Sequence, residues 1–449
     1  MNNPKAWIVT VDMGYGHQRA THPLRNLSPT NKILIANNYE GIPKKDRRIW
    51  QNSRKAYELV SRFKQVPLLG NLVFNIMDYF QKIPRFYPKR DLSKPTLQLK
   101  ATYRLIRRKK WGKNLIDFLN NKNGHKPFVT SFFIPAFMAE EHGYKGEIYC
   151  IICDADMSRA WVPLNPLKSR IKFFAPCRRV VDRLRLYGVK KENIFLTGFP
   201  LPKENLGGKK IVTLKKDLAK RILNLDPCGH YRKKYGNTVS YFLKDNKMKK
   251  IPNNCNLIAP TLTFAVGGAG AQRELGRQIL VSLKEKIQKK EINLNLVAGS
   301  RNDVYIYFKL RIEEMGLEKN FGKNLNIVFD IDKEEYFNKF NKVLRTTDVL
   351  WTKPSELVFY AGLGIPIIMA PSVGSQENFN REWLKRIGAG ISQQNPRYTH
   401  EWLFDWINSG WLAEAAVSGF LDERQFGVYS IEDVVFKGVK EPTKNYQLL

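Results

Sequence analysis

Short apolar runs alternate with amphipathic stretches along most of the chain. Runs such as "AWIVTV" (6–11), "KPFVTSFFI" (126–134) and "EIYCIIC" (147–153) are too short for buried helices, which predicts buried strands. Helical patterns lie between them, such as "RRVVDRLRLYG" (178–188), with apolar residues at helical spacing and a glycine past the last turn. Strands that alternate with helices indicate an α/β domain with a mostly parallel sheet.

The alternation of predicted strands and helices is interrupted after the first half of the chain and then begins again. The pause is polar, rich in lysine and irregular apart from a helix around "LKKDLAKRILNL", which predicts an interdomain connection carrying an insertion. The restart, "PTLTFAVGGAGAQRELG", reads as strand, glycine loop and helix, and four further strands follow it: "INLNLVAGS", "NLNIVFDI", "TTDVLWTK" and "GIPIIMAP". We therefore predict two Rossmann-like, doubly wound domains. The predicted divisions are a first domain over 1–202, the connection over 203–256, a second domain over 257–430 and a tail over 431–449.

The charge of the chain is far from balanced. Its 449 residues include 75 Lys and Arg against 41 Asp and Glu, a net charge of +34. Half of this excess lies in residues 41–126, where 22 basic and 5 acidic residues give +17. Such a surface favours polyanionic partners: nucleic acid, an anionic membrane or phosphate-bearing substrates.

The cysteines and the absence of recognisable targeting signals indicate where in the cell the protein is expected. Five cysteines in a chain of this length do not make a disulfide scaffold. Cys150 and Cys153 point to opposite sides of one predicted strand, so we expect inert buried thiols. No apolar run approaches the ~20 residues of a membrane span, and Met1–Lys5 does not resemble a signal peptide. We expect a cytoplasmic protein whose membrane contact, where it has one, is peripheral.

In each predicted domain, a glycine loop follows the first strand. In "VDMGYGHQRATHPL", Gly14 and Gly16 allow a substrate to approach the backbone, and His17 opens the next helix. The pKa of an unperturbed histidine lies near neutrality, which suits a base. The second loop supplies backbone N–H groups at a helix N-terminus, an anion site suited to a diphosphate. Its residues are Gly267, Gly268, Ala269, Gly270 and Ala271.

Polar residues also follow the later strands. In "WTKPSELVFYAGLGIPIIMAPSVGSQENFN", Glu356 stands near a helix start, where a carboxylate can accept two ribose hydroxyls. The loop after the next strand carries Gln376, Glu377 and Asn380, residue types that hydrogen-bond sugar hydroxyls; caps and solvated loop residues are the alternative. "CDADMSRAW" ends a strand with Asp154, Asp156 and Arg159, either a metal or base pair of acids or helix caps.

An apolar helical face lies within the most basic part of the chain. In "VPLLGNLVFNIMDYFQKIPRFYPKR" six apolar residues recur at helical spacing: Leu69, Leu72, Val73, Ile76, Met77 and Phe80. This face either packs onto the protein's own core or lies in a membrane interface. The surrounding +17 favours the membrane, because each basic residue near an anionic leaflet contributes ~1 kcal/mol.

The motifs together resemble a known family. "DMGYGHQRA", "CDADMSRAWV", "TGFPLP", "VGGAGAQ", "TKPSE" and "GSQENFN" occur in the order seen in GT-B glycosyltransferases of the diacylglycerol sugar-transferase (monogalactosyldiacylglycerol synthase-like) group. A relative of that group is the peptidoglycan lipid-intermediate N-acetylglucosaminyltransferase. The resemblance covers most of residues 7–395 and implies the GT-B fold. It also implies inverting transfer from a UDP-sugar to a lipid acceptor at a membrane surface, with no metal or further cofactor.

The resemblance assigns roles by position. The loop around Gly267 would hold the diphosphate, and the backbone at Val328 and Phe329 would meet the base. Gln376 and Glu377 match the family's Gln-Glu pair on the donor sugar, and Asn380 matches its Asn. His17 matches the glycine-loop histidine and would take the acceptor proton directly or through Asp154. Phe359 stands where the family has an acidic residue, so Glu356 is the nearest candidate for the ribose; Ser375 replaces a family glycine.

Two other classes of function stay open at the level of sequence. One is a GT-B enzyme of different chemistry, such as a nucleotide-sugar epimerase. The other is a non-catalytic binder of anionic membrane or nucleic acid, suggested by the charge of +34. The sequence holds no aromatic-basic RNA signature, zinc pattern or helix-turn-helix signal, so we expect no specific nucleic-acid partner.

Overall fold

The computed structural model describes residues 4–63, 83–122, 125–255, 258–267, 270, 272–372 and 375–441. The chain divides into two compact units. The first unit comprises Met1–Pro200, Val373–Phe379 and Phe426–Lys444. The second comprises Leu201–Ser372, Asn380–Gln425 and Asn445–Leu449.

The first unit is built on a six-stranded parallel sheet in the order β2-β1-β3-β4-β5-β6. Its strands are β1 (Trp7–Thr10), β2 (Leu34–Ile35), β3 (Phe128–Thr130), β4 (Ile148–Ile151), β5 (Lys172–Ala175) and β6 (Ile194–Leu196). Its helices before residue 200 are α1 (Tyr15–Thr21), α2 (Lys44–Phe63), α3 (Leu97–Lys109), α4 (Lys113–Asn120), α5 (Phe133–Glu141) and α6 (Arg178–Leu186). The central strands are buried on both faces, which is why they read as continuous apolar runs.

The second unit repeats the plan with strand order β12-β11-β10-β7-β8-β9, again parallel. Its strands are β7 (Thr261–Ala265), β8 (Asn293–Gly299), β9 (Leu325–Phe329), β10 (Val349–Thr352), β11 (Ile367–Met369) and β12 (Gly390–Ser392). The α-helices along this part of the chain are α7 (Lys203–Leu206), α8 (Val212–Leu225), α9 (His230–Leu243), α10 (Arg273–Ser282), α11 (Lys284–Gln288), α12 (Asn302–Glu314), α13 (Lys333–Thr346), α14 (Ser375–Arg386), α15 (Thr399–Asn408) and α16 (Trp411–Asp422). A last helix, α17 (Gly427–Lys437), belongs to the first unit. The predicted fold class, two Rossmann-like α/β domains each built on a parallel sheet, is confirmed.

The segment 203–256 is more ordered than its composition suggested. It is mostly helical, through α7, α8 and α9, and it packs within the second unit. Arg221 of α8 is fully buried there and donates to the carbonyls of Thr347 and Leu363 at 2.7 and 2.9 Å. The predicted helix around "LKKDLAKRILNL" corresponds to α8, whereas α7 and α9 were not predicted, because their sequences are mostly polar.

The segment 431–449, predicted as a tail, begins inside a helix. Helix α17 runs through residue 437, and Ile431 and Val434 are buried in it. The apolar residues of this stretch were too few to be recognised as a periodic pattern.

The cysteines divide into two groups. Cys150 and Cys153 are free and buried, as predicted, and so is Cys177. A disulfide joins Cys228 and Cys255. Sequence reasoning did not identify this pair, because the helices that bring the two residues together were read as an irregular connection.

Among the described residues, no helix is both long enough and apolar enough to cross a bilayer.

Candidate functional site

A first group of predicted residues lies at the carboxyl end of β1, in the first unit. Gly14 precedes α1 with a φ of 113°, a conformation that favours glycine. His17 follows in the first turn of α1, half-buried, with Nδ1 2.9 Å from the carbonyl oxygen of Ser131. A carbonyl only accepts, so Nδ1 carries the proton. In the neutral ring the lone pair is therefore on Nε2, as a general base requires.

The partner of His17 comes from a neighbouring strand. Ser131 directly follows β3, which pairs with β1. Its hydroxyl lies 3.0 Å from that of Thr10 at the end of β1, and both side chains are buried. These contacts fix the carbonyl that orients the imidazole.

Asp12 and Gln18 belong to the same strand end and were missed by the sequence reasoning. The Gln18 amide donates to the Asp12 carboxylate at 3.0 Å, and the Asp12 backbone N–H donates to Asn37 at 2.8 Å. The sequence "VDMG" does place an acid directly after a buried strand. Only the glycines and the histidine of this stretch were considered as candidate site residues.

The acids after β4 separate into different roles. Asp156 is 1% exposed and accepts from Arg183 at 2.7 and 2.9 Å and from Arg179 at 2.9 Å. It is therefore a buried ion-pair partner and does not form a metal or base pair with its neighbour. Asp154 is half-buried at the carboxyl end of β4. In the described residues no group of three or more His, Cys, Asp or Glu side chains is placed to hold a metal ion.

Arg159, the basic residue of the same motif, is also structural. Its guanidinium is buried and donates to the carbonyls of Ser93, Val162 and Pro163 at 2.9, 2.6 and 3.0 Å. Burial lowers the pKa of Arg159 to about 10. The hydrogen bonds from Arg159 to these carbonyls hold the backbone around Trp161 in place.

A second group of predicted residues lies at the carboxyl ends of the strands of the second unit. Gly267 and Gly270 have φ values of 72° and 67°. A Cβ on Gly267 would lie 3.0 Å from Cε of Lys353, and a Cβ on Gly270 would lie 3.2 Å from Nε of Arg301. The glycines thus let the loop lie directly against two cationic side chains. Residues 268, 269 and 271 of the predicted loop lie outside the described residues.

Two guanidiniums and one carboxylate lie near this loop. Arg301 pairs with Asp303 at 3.0 Å, and Arg273 lies 3.8 Å from the same carboxylate. The hydrogen bonds from Arg301 hold the pKa of Asp303 below its usual range. One carboxylate therefore faces two guanidiniums, with the Lys353 ammonium in addition. The sequence did not suggest Arg301, because its approach depends on β8 lying beside β7.

The segment after β10 carries the carboxylate expected near the ribose. Glu356 opens a 3₁₀ helix (Glu356–Leu363) and is 8% exposed. Phe359 is fully buried with its ring 4.9 Å from that of Trp383. Glu356, not residue 359, thus brings a carboxylate to this end of β10.

The residues after β11 lie in a helix where the sequence predicted a loop. Gln376 and Glu377 are in the first turn of α14, half-buried and buried respectively. Asn380 is fully buried, and its amide donates to the carbonyl of Pro354 at 3.1 Å. The loop prediction failed because the "SQENFN" stretch is polar, while its buried residues recur at helical spacing. The bond from Asn380 ties α14 to the turn between Lys353 and Glu356.

Phe329 ends β9, the outermost strand on this side of the sheet. Its ring stacks on Tyr305 of α12, with centroids 4.8 Å apart and planes 28° from parallel. Both rings are half-buried. The predicted donor residues thus follow strands β11, β10, β7 and β9, and Arg301 follows β8 between the last two.

The predicted acceptor helix is not among these elements. Leu69, Leu72, Val73, Ile76, Met77 and Phe80 lie outside the described residues.

Comparison with known proteins gives only distant likenesses. No protein-family model and no curated protein matches the chain. Among solved structures, a putative UDP-N-acetylglucosamine 2-epimerase from Listeria monocytogenes has a TM-score of 0.45 at 11% identity, over 83% of this chain and 88% of its own. The S. aureus MnaA–UDP structure has a TM-score of 0.45 at 11% identity, over 98% and 99%. MurG from Acinetobacter baumannii has a TM-score of 0.43 at 12% identity, over 97% and 100%. Likenesses of this size do not assign a function.

Proposed function

We propose that the protein is an inverting glycosyltransferase that moves a sugar from a nucleotide-sugar, UDP-linked, to a lipid or lipid-linked acceptor at a membrane surface. The observation that carries this proposal is the loop at Gly267 and Gly270, which lies against the side chains of Lys353 and Arg301. Backbone N–H groups with two cations beside them suit a diphosphate, the leaving group of such a donor.

The neighbouring strand ends supply the remaining donor contacts. Glu356, three residues after Lys353, suits the two ribose hydroxyls. Gln376 and Glu377 at the start of α14 suit the hydroxyls of the sugar. Phe329, stacked on Tyr305, lies at the strand end proposed for the base. Asn380 acts through its bond to Pro354 and is a positioning residue.

His17 supplies the base. The acceptor oxygen attacks C1 of the donor sugar as its proton passes to Nε2 of His17. The new C1–oxygen bond forms as the bond from C1 to the diphosphate breaks, and the electron pair leaves with the diphosphate. Attack opposite the leaving group inverts the configuration at C1. The loop N–H groups, Lys353 and Arg301 stabilise the charge that develops on the leaving oxygen.

The proposed membrane contact is a basic face of helix α3. Helix α3 exposes one face on which Lys100, Arg104 and Arg108 alternate with the exposed Leu97 and Leu105. A face with basic and apolar residues together suits the headgroup region of an anionic leaflet. It stands in the part of the sequence with the greatest basic excess.

The experiment that tests the proposal is a screen of UDP-sugars with purified protein, with and without a total lipid extract, in which UDP and sugar products are separated by chromatography. We expect UDP release that depends on the lipid extract. Conversion of the UDP-sugar to its epimer without lipid would instead identify an epimerase. Unchanged UDP-sugars under both conditions, with tight binding to anionic liposomes or duplex DNA, would leave a non-catalytic binder.

A further inference from the structure

An aromatic cluster surrounds His17 at the carboxyl ends of β1, β3 and β4. The His17 ring lies 4.7 Å from Phe132 and 5.9 Å from Trp161, centroid to centroid. Trp161 in turn lies 5.0 Å from Phe133. The rings therefore form one continuous surface that ends at the imidazole.

The outer rings of this cluster are open to solvent. Phe133 and Trp161 are half-buried, whereas Phe137, one turn further along α5 and 5.6 Å from Phe133, is fully buried. The buried ring serves the core of the unit. Two adjacent large rings that stay partly exposed at a strand-end site mark a surface for a ligand.

The position of Trp161 is fixed before any ligand binds. The buried Arg159 donates to the carbonyls of Val162 and Pro163, directly after Trp161 in the chain, and the backbone N–H of Trp161 donates to the carbonyl of Ser158 at 3.2 Å. A guanidinium out of water is tolerated only when its donors are satisfied, so this segment has little freedom. A backbone that is already held in place loses little entropy when a ligand binds.

The polar groups at the same strand end define the chemistry of the ligand. His17 offers an imidazole beside the rings, and the Asp12–Gln18 pair follows the same strand, β1. A pyranose ring presents hydroxyls at its edge and a C–H face, which matches this combination of polar groups and aromatic faces. A fatty acyl chain offers no partner to the polar groups, and a glycerol unit is too small to cover two rings.

We propose that Phe133 and Trp161 form a platform for a pyranose ring of the acceptor, whose hydroxyl is thereby presented to His17. The acceptor is then a saccharide carried by a lipid, and the hydroxyl that reacts belongs to a sugar, not to a glycerol backbone. The role of His17 in this statement rests on the proposed function; the platform itself is a binding site and can be tested without turnover.

The test is saturation-transfer-difference NMR on the full chain, with a set of methyl hexopyranosides and with glycerol as probes. We expect transfer to the ring C–H protons of at least one pyranoside, none to glycerol, and about tenfold weaker binding in Phe133→Ser and Trp161→Leu. Phe137→Leu is the matched control, because it truncates the buried ring of the same cluster: it lowers the melting temperature and leaves pyranoside binding unchanged. Circular dichroism confirms that each variant is folded.

Three results would overturn the platform: no transfer to any pyranoside in the unsubstituted protein, equal transfer to glycerol, or binding that survives both outer substitutions. A failed platform together with lipid-dependent UDP release leaves the proposed function intact. Pyranoside binding without any consumption of UDP-sugars supports the platform and refutes the transfer. In the active enzyme, Trp161→Phe should raise KM for the acceptor while KM for the UDP-sugar stays constant.

Discussion

Gly267→Ala perturbs the proposed diphosphate site at one atom. The added methyl group would meet Cε of Lys353 at 3.0 Å, so the flexible lysine side chain must move by a few tenths of an ångström or more. Alanine must also adopt the left-handed φ of 72°, which costs about 1–2 kcal/mol of stability. The substitution therefore has two separable effects, one on folding and one on the position of the ammonium group.

The effect on binding follows from the contact that is displaced. A hydrogen bond to a charged group contributes about 1.5–3 kcal/mol, so we expect Kd for UDP to rise about 10- to 150-fold. The assay is isothermal titration calorimetry with UDP, combined with thermal unfolding.

Gly316→Ala is the matched control. Gly316 has a φ of 67°, and a Cβ there would meet no atom within 4 Å. The same backbone cost is thus imposed without touching the loop, and we expect a similar loss of stability with unchanged UDP binding. Equal losses of UDP affinity in the two variants, or undiminished affinity in Gly267→Ala, would refute the assignment of this loop to the diphosphate.

Two further predictions concern the surface and the core. Neutralising three basic residues on the exposed face of α3 should weaken binding to anionic liposomes about 100-fold, since each contributes ~1 kcal/mol. Neutralising three exposed lysines of the second unit is the control, because it changes the net charge by the same amount. Equal losses of liposome binding in both variants would contradict a specific membrane-binding face. The test substitutions are K100Q, R104Q and R108Q, and the control substitutions are K289Q, K319Q and K323Q. Burial raises the pKa of Asp348 from 3.8 to about 6, so the folded state holds this proton more tightly and loses stability as pH rises from about 4 to above 6. Asp348→Asn does not titrate and so lacks this loss. Measured by urea titration, the free energy of unfolding of the variant should therefore rise by about 2–3 kcal/mol relative to that of the unsubstituted protein between pH 4 and pH 8. A difference in free energy of unfolding that stays constant with pH would contradict the burial argument.

The sequence predicted those parts of the fold that depend on local patterns. Buried strands, glycine turns and the restart of the pattern in the second half are all encoded within a few neighbouring residues. His17 and Gly267 were proposed as site residues for a similar reason, because each follows a recognisable strand.

The remaining site residues depend on which strands become neighbours. Ser131 meets His17 because β3 pairs with β1, across more than a hundred residues of sequence. Arg301 reaches the glycine loop because β8 pairs with β7. No local pattern specifies this order of strands, so neither contact was predicted.

Charged motifs were the least reliable guide. Asp156 and Arg159 stand in a motif that suggested catalysis, yet both are buried and satisfied by arginines or carbonyls. Their burial requires long-range partners that sequence spacing does not reveal. Half-buried Trp161, the uncharged last residue of the same motif, became informative only beside His17.

Sugar transfer that depends on His17 is the central claim, and one measurement tests it most directly. Radiolabelled UDP-sugars are incubated with a total lipid extract and either the unsubstituted protein or His17→Ala, and label is counted in the organic phase. We expect label in the lipid fraction with the unsubstituted protein and a loss of about 10²- to 10⁴-fold with His17→Ala, while both bind UDP equally. Label that never enters the lipid fraction, or enters it equally with both proteins, would contradict the account.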